Sequence, residues 1–128
     1  MHFSAGHRLH NDELPADENR RIYGLCNNPH GHGHNYGLEI TLRGEIDPRT
    51  GYVFDLKRLK QAVRQAVLED VDHANLNVDV PWMEGVVPTV ENIAVQIWRR
   101  LEGVFPEGML ERIVVSESER NFVEYRGE

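Results

Sequence analysis

The histidines of this chain are concentrated near its start. Six of the seven fall within the first 34 residues, and three of them occupy alternate positions in His30–His34, four residues after the only cysteine, Cys26. Histidine is the commonest protein ligand for zinc. In an extended strand, side chains two residues apart point to the same face, so His32 and His34 can present two imidazoles to one ion. This spacing predicts a metal site.

Composition limits the kind of molecule that the protein can bind. The chain has 128 residues, 40% of them hydrophobic, and a formal net charge of −7. Its length and apolar content predict one globular domain spanning residues 1–128. The negative charge argues against nucleic acid or an anionic membrane as the main partner, since both require a concentrated basic surface. An anionic small substrate is still compatible with this composition if arginines cluster locally.

No segment of the sequence has the pattern of a membrane span or a secretion signal. No apolar run approaches the roughly 20 residues that cross a bilayer. The first residues also lack a charged region followed by an apolar stretch. We therefore expect a cytoplasmic protein. The single cysteine excludes an intramolecular disulfide, so Cys26 is a free thiol, a metal ligand or a catalytic group.

Hydrophobic periodicity predicts four strands. Met1–Leu9 has the pattern of a short strand, and the polar stretch His10–Asn28 has the composition of a loop. From His32 to Ile46 apolar and polar residues alternate over an unusual length, which predicts a strand whose buried face continues the histidine pair. Two more strands are predicted at Leu110–Glu117 and Asn121–Arg126.

Two helices are predicted between the second and third strands. Asp55 can cap the first, whose apolar stripe is Leu56, Leu59, Val63, Ala66 and Val67. Thr89 can cap the second, which ends at Gly103 and has its apolar face at Ile93, Ile97, Trp98 and Leu101. The order strand, strand, helix, helix, strand, strand predicts an α+β domain. In it, both helices cover one face of a four-stranded antiparallel sheet.

Five segments carry a more specific signal than composition. They are Phe3–Leu9 (FSAGHRL), Cys26–Tyr36 (CNNPHGHGHNY), Asp72–Asn77 (DHANLN), Pro88–Asn92 (PTVEN) and Ser116–Ser118 (SES). In this order they resemble the successive motifs of the 6-pyruvoyl-tetrahydropterin synthase family. The resemblance implies the T-fold, or tunnelling fold, in which subunits join their sheets into a barrel. It also implies active sites at subunit interfaces and a hexamer made of two trimers.

The resemblance implies that His7, His32 and His34 are the ligands of a zinc ion. Strand parity supports the last two independently. Three histidines and a water form the open coordination that is typical of catalytic zinc. The competing histidines, which we expect not to be ligands, are His2, His10 and His30. The alternative is a closed structural site in which Cys26 supplies the fourth ligand.

The resemblance implies that Cys26 removes a proton from the substrate, helped by Asp72 and His73 of the neighbouring subunit. A thiolate is the active form of cysteine, so a nearby zinc or imidazole must favour it. Neighbouring residues of a strand point to opposite faces, so Asp72 and His73 must lie in a turn after the first helix if both serve one site. The alternative is that Asp72 only caps a turn and His73 packs against the core.

Two further residues are candidates for holding the substrate. The resemblance implies that Glu117 anchors the pterin, because a carboxylate accepts two parallel hydrogen bonds from the N–H groups of a 2-amino-4-oxo pyrimidine edge. Thr89 is a weaker candidate, since a helix cap also explains it. Four basic residues could contact the phosphate groups of an anionic substrate: Arg20, Arg21, Lys57 and Arg120.

The family resemblance implies a zinc-dependent enzyme that converts 7,8-dihydroneopterin triphosphate to 6-pyruvoyl-tetrahydropterin with loss of triphosphate. The sequence has no glycine-rich nucleotide fingerprint that would suggest a second cofactor. One alternative is the related 6-carboxy-tetrahydropterin synthase of queuosine biosynthesis, which releases acetaldehyde from the same substrate. The five residues between Cys26 and His32 favour the pyruvoyl branch. The other alternative is a non-catalytic zinc-binding or pterin-binding relative.

Overall fold

A five-stranded mixed sheet forms the frame of the protein. The computed structural model describes all 128 residues, Met1 to Glu128. The strands are β1 (His2–His7), β2 (His32–Leu42), β3 (Ala74–Asn75), β4 (Leu110–Ser116) and β5 (Phe122–Tyr125). They lie in the order β3-β1-β2-β4-β5, and every neighbouring pair is antiparallel except β1 and β3.

The prediction of a purely antiparallel four-stranded sheet is therefore wrong at one edge. The four predicted strands are present and antiparallel to their neighbours, but β3 adds a short parallel strand beside β1. Two residues give no periodicity, so sequence patterns cannot reveal such a strand. Its position is fixed by tertiary hydrogen bonds, such as the one that the Leu76 N–H donates to the Gly6 carbonyl over 2.8 Å.

Four helical segments accompany the sheet. They are α1 (Ala16–Tyr23), α2 (Leu56–Val63), α3 (Glu69–Val71) and α4 (Val90–Leu101). A π-helical segment, Arg64–Leu68, joins α2 directly to α3. Short 3₁₀ turns occupy Gly24–Asn27 and Pro81–Met83. None of these helices is both long enough and apolar enough to cross a lipid bilayer.

Both predicted helix caps are confirmed. The Asp55 carboxylate accepts a hydrogen bond from the Lys57 N–H at the start of α2, over 2.9 Å. The Thr89 hydroxyl accepts one from the Asn92 N–H at the start of α4, over 3.2 Å. Each cap satisfies one of the backbone donors that an α-helix leaves free at its first turn.

Helix α1 is the main element that the sequence analysis missed, since the whole stretch His10–Asn28 was predicted to be a loop. Only Asn19 of α1 is buried, so the helix has no apolar stripe to detect. The Asn19 amide instead donates to three backbone carbonyls of the preceding turn, those of Asn11, Leu14 and Pro15. A polar side chain thus fixes this helix.

The hydrophobic core lies between one face of the sheet and helices α2 and α4. Alternate residues of the strands supply the sheet side: Phe3, Ala5, Tyr36, Leu38, Ile113 and Val115. These helices and the π-helical segment that follows α2 supply the other side: Leu59, Val63, Val67, Ile93, Ile97 and Leu101. Most of the predicted apolar stripes are therefore confirmed.

Two predicted apolar positions lie outside the core. Strand β2 ends at Leu42, where its register with β4 shifts, so Ile46 lies beyond the sheet and is 67% exposed. Leu56 lies in the first turn of α2 and is 68% exposed. Both residues follow the predicted period, but Ile46 lies beyond the end of its strand and Leu56 in the exposed first turn of its helix.

Candidate metal centre and active site

Three histidines converge at the end of the core where β1 finishes and β2 begins. His7 and His32 face each other in the antiparallel register, and His34 follows two residues later on the same face. The Nε2 atom of His32 lies 3.3 Å from that of His7 and 3.1 Å from that of His34. All ligand atoms of the three lie within 4.8 Å of one another. The pairing of β1 with β2 places His7 beside His32, a contact that the alternation of side chains within one strand could not predict.

Two of the three spacings between these nitrogen atoms are close to those around a tetrahedral ion. Zinc binds imidazole nitrogen at about 2.0–2.1 Å, which places tetrahedral ligand atoms about 3.3–3.4 Å apart. Both Nε2 to Nε2 distances from His32 are close to that value, at 3.3 and 3.1 Å. Three histidines also leave one tetrahedral position for water or substrate. The donor set therefore suits an open zinc site.

The His7 ring is fixed in the form that a metal requires. Its Nδ1 atom lies 2.8 Å from the Pro88 carbonyl oxygen, which can only accept, so we assign the ring proton to Nδ1. The Nε2 lone pair then faces the other two histidines. Burial lowers the pKa of His7, which is 1% exposed, and so favours the neutral ligand form.

The sequence analysis missed two groups that orient His7. The Pro88 carbonyl precedes α4 and gives no sequence signal, since any residue has a carbonyl. The Tyr36 hydroxyl lies 3.2 Å from the same Nδ1 atom of His7. Tyr36 shares the strand face of His32 and His34, and this parity could have identified it. Burial raises the pKa of Tyr36 far above its ordinary range.

Glu117 lies beside the histidines, at the end of β4. It follows Ile113 and Val115 on the core face, and one carboxylate oxygen, Oε2, is 4.0 Å from Nε2 of His34. Its backbone N–H donates to the Asn121 carbonyl over 3.0 Å, in the turn between β4 and β5. The predicted anchor is therefore a half-buried carboxylate on a fixed backbone next to the three histidines.

Cys26 lies close to the end of β1 but is not part of the histidine cluster. It occupies the 3₁₀ turn Gly24–Asn27 and is half-buried. Its carbonyl accepts a hydrogen bond from the Leu9 N–H over 2.8 Å, two residues beyond His7. The cluster of convergent ligand atoms contains the three histidines and not the thiol. This geometry favours the open site over a closed one.

Asp72 and His73 lie in a turn after α3, as predicted. The Asp72 carboxylate accepts a hydrogen bond from the Ser4 N–H over 2.9 Å, and the His73 N–H donates to the Ser4 carbonyl over 2.6 Å. Nδ1 of His73 lies 3.1 Å from Oδ2 of Asp72. The bond from Ser4, followed by the contact with His73, holds the pKa of Asp72 below its ordinary value.

The Asp72–His73 pair lies at the surface of the chain. The His73 side chain is 83% exposed, so the alternative in which it packs against the core is wrong. The Asp72 carboxylate binds the N–H of Ser4 in β1, so it joins its turn to the sheet. His73 has a positive φ of 59°, which is uncommon for a non-glycine residue. The hydrogen bonds of the pair join it to Ser4 and not to Cys26.

The remaining candidates take no part in the histidine cluster. His2, His10 and His30 lie outside it, as expected. His10 instead contacts Asn27 and Asp12, over 2.9 and 3.3 Å. The Thr89 hydroxyl oxygen accepts the hydrogen bond that caps α4, which leaves its O–H free to donate to another group.

We expect Gly31→Ala to disrupt the metal centre. Gly31 has a φ of +67°, and an added Cβ would lie 2.4 Å from the His7 carbonyl oxygen. The backbone strain alone costs about 1–2 kcal/mol, and relief of the clash must move the strand end that carries His7. Zinc content per subunit and urea denaturation measure both effects.

Gly51→Ala is the matched control. Gly51 also has a positive φ, of +78°, but an added Cβ there meets no atom within 4 Å. This variant should lose stability from strain alone and keep its zinc. Equal zinc content in the two variants would contradict the role assigned to Gly31.

Comparison with known proteins agrees with this geometry. Residues 1–128 match the family described as 6-pyruvoyl tetrahydropterin synthase. The chain is 48% identical over 126 residues to the 6-pyruvoyl tetrahydrobiopterin synthase of Homo sapiens, covering 98% of this chain and 87% of the human protein. It is 46% identical over 127 residues to the Drosophila melanogaster synthase, covering 98% and 75%.

Solved structures match the fold of this chain and point to the same family. The structure of Caenorhabditis elegans 6-pyruvoyl tetrahydropterin synthase matches with a TM-score of 0.94 at 40% identity, covering all of this chain and 91% of that one. An uncharacterised Wolinella succinogenes protein, at 20% identity and a TM-score of 0.72, shares the fold. These findings confirm the resemblance and the T-fold subunit that it implied. The chain belongs to the 6-pyruvoyl tetrahydropterin synthase family.

Proposed function

We propose that this protein is a zinc-dependent 6-pyruvoyl-tetrahydropterin synthase. It would convert 7,8-dihydroneopterin triphosphate to 6-pyruvoyl-tetrahydropterin and release triphosphate. The observation that carries this proposal is the convergence of three Nε2 atoms, those of His7, His32 and His34, beside the Glu117 carboxylate. Relatives named for this activity, 46–48% identical over almost the whole chain, support it.

The three histidines would hold zinc, and Glu117 would hold the pterin. Bound zinc supplies Lewis-acid polarisation of the side-chain oxygens of the substrate, which makes the neighbouring C–H bond more acidic. Glu117 would accept two N–H hydrogen bonds from the pyrimidine edge of the pterin. Because its carboxylate lies 4.0 Å from His34, the anchored ring would extend its side chain over the metal centre. Thr89 stays a weaker candidate for contact with the substrate.

Cys26 would remove the proton that the metal makes acidic. The half-buried thiol lies outside the ligand cluster, so it keeps its capacity to act as a base. His73 would accept the proton from the thiol, and Asp72, whose carboxylate lies 3.1 Å from the imidazole, would orient the His73 ring. Loss of triphosphate and the internal transfer of oxidation state then need no external redox cofactor.

The Asp72–His73 pair would act in the site of a neighbouring subunit. Its exposed imidazole and its lack of a hydrogen bond to Cys26 support this arrangement. The proposed assembly is a homohexamer of two trimers, with sheets joined into barrels and each site shared between subunits. An oligomer of this kind places identical surfaces at every interface, so every site receives the same contribution.

The decisive experiment is product identification. Zinc-loaded protein is incubated with 7,8-dihydroneopterin triphosphate, and the products are identified by mass spectrometry. The expected result is 6-pyruvoyl-tetrahydropterin with one triphosphate per turnover. A 6-carboxy product with acetaldehyde would assign the protein to the queuosine branch. Absence of turnover with one zinc bound per subunit would leave a binding role as the function.

A further inference from the structure

We propose that Asn27 is a positioning residue that holds the Cys26 thiol at a fixed place relative to the metal centre. The inference rests on the proposed function, in which Cys26 is the base. Asn27 is only 5% exposed and is one of three buried polar residues, with His7 and Asn19. Its amide nitrogen donates to the Leu9 carbonyl over 2.7 Å and to Nδ1 of His10 over 2.9 Å.

Four hydrogen bonds join the Cys26–Asn27 dipeptide to the segment that follows His7. Besides the two from the Asn27 amide, the Leu9 N–H donates to the Cys26 carbonyl over 2.8 Å. The Nε–H of Arg8 donates to the Asn27 carbonyl over 3.1 Å. Neither segment belongs to the sheet, so these bonds take the place of a strand ladder.

The direction of the Asn27 amide follows from its partners. The Leu9 carbonyl can only accept, so the NH₂ group must face it. Nδ1 of His10 must then carry the lone pair, and the Nε2–H of that ring faces Asp12, whose Oδ1 lies 3.3 Å away. An aspartate of the same shape would place an oxygen against the Leu9 oxygen, with repulsion where there is now a bond.

This arrangement links the base to the metal over a very short stretch of chain. His7 is a ligand, and Leu9 and His10 bind Asn27, so the thiol follows any movement of the end of β1. Proton transfer needs the base within hydrogen-bond reach of the proton that it removes. A displacement of about 1 Å can cost a hundredfold in rate. A buried amide that fixes the neighbouring residue therefore acts on catalysis through Cys26.

The test compares Asn27→Asp with a control at Asn19. Asn19→Ala removes another fully buried amide, which binds the turn before α1 and makes no bond to Cys26 or β1. For Asn27→Asp we expect kcat to fall at least tenfold, with KM within twofold and zinc content unchanged. The rate at which iodoacetamide alkylates Cys26 in the zinc-loaded protein should also change severalfold. Asn19→Ala should change neither kcat nor the alkylation rate of the folded protein.

Two results would overturn the proposal. One is unchanged kcat and alkylation in folded Asn27→Asp, and the other is an equal loss of kcat in Asn19→Ala, which would show general destabilisation. If Asn27→Asp does not fold, His10→Ala removes one of the two acceptors and should lower kcat about two- to fivefold; no change would refute the role. The alkylation assay needs no substrate. If the unsubstituted protein shows no turnover, the proposed function is rejected, but the effect of Asn27 on the position of Cys26 can still be measured.

Discussion

Replacing His7 with alanine is expected to remove zinc from the protein. His7 is 1% exposed, its Nδ1–H is fixed on the Pro88 carbonyl, and its Nε2 atom lies 3.3 Å from that of His32. The variant leaves two imidazoles from one strand, which cannot complete a three-histidine site. Loss of an outer-shell partner already lowers metal affinity about 10–100-fold, so loss of a ligand should lower it by more than about a hundredfold.

Competition with a calibrated chelator measures this affinity, and elemental analysis gives the zinc content. His2→Ala is the matched control, because His2 is an exposed residue of the same strand that lies outside the cluster. It should keep one zinc per subunit. Turnover should be lost in His7→Ala and kept in the control. A His7→Ala protein that still binds one zinc at parental affinity would contradict the assigned ligand set.

The sequence revealed the parts of the site that depend on strand parity. His32 and His34 could be paired from their spacing alone, because a strand repeats every two residues. His7 could not be placed with them in this way. Its position depends on the pairing of His7 with His32 in the sheet, and register between distant strands is a tertiary property. Only the family resemblance supplied that ligand in advance.

The parts of the fold that local pattern does not determine were missed. Helix α1 is fixed by the amide of Asn19 and not by an apolar stripe, and β3 is a two-residue strand fixed by its neighbours. The Pro88 carbonyl that orients His7 is a backbone group 81 residues away in the chain. Hydrophobic periodicity reports the core face of a regular element. It carries no information about polar contacts between distant segments.

Replacing Cys26 with alanine is expected to lower kcat at least a thousandfold while the zinc content stays at one per subunit. The thiol is the proposed base, and general base catalysis contributes about 10²–10⁴ in rate. The group of convergent ligand atoms contains only histidines, so the variant should keep its metal ligands. Steady-state kinetics and elemental analysis on the same sample test both statements. Loss of zinc together with activity would instead support a closed site with Cys26 as the fourth ligand.

A mixture of inactive variants tests where the proton relay comes from. His73→Ala should also lose most activity, because the exposed imidazole of His73 is the proposed partner of Cys26 in a neighbouring subunit. When Cys26→Ala and His73→Ala chains are unfolded together and reassembled, random pairing gives about one site in four both intact residues, if each site takes them from two chains. Activity should therefore return to about a quarter of the parental value. If Cys26 and His73 served a site within one chain, every subunit in the mixture would lack one of them and no activity would return.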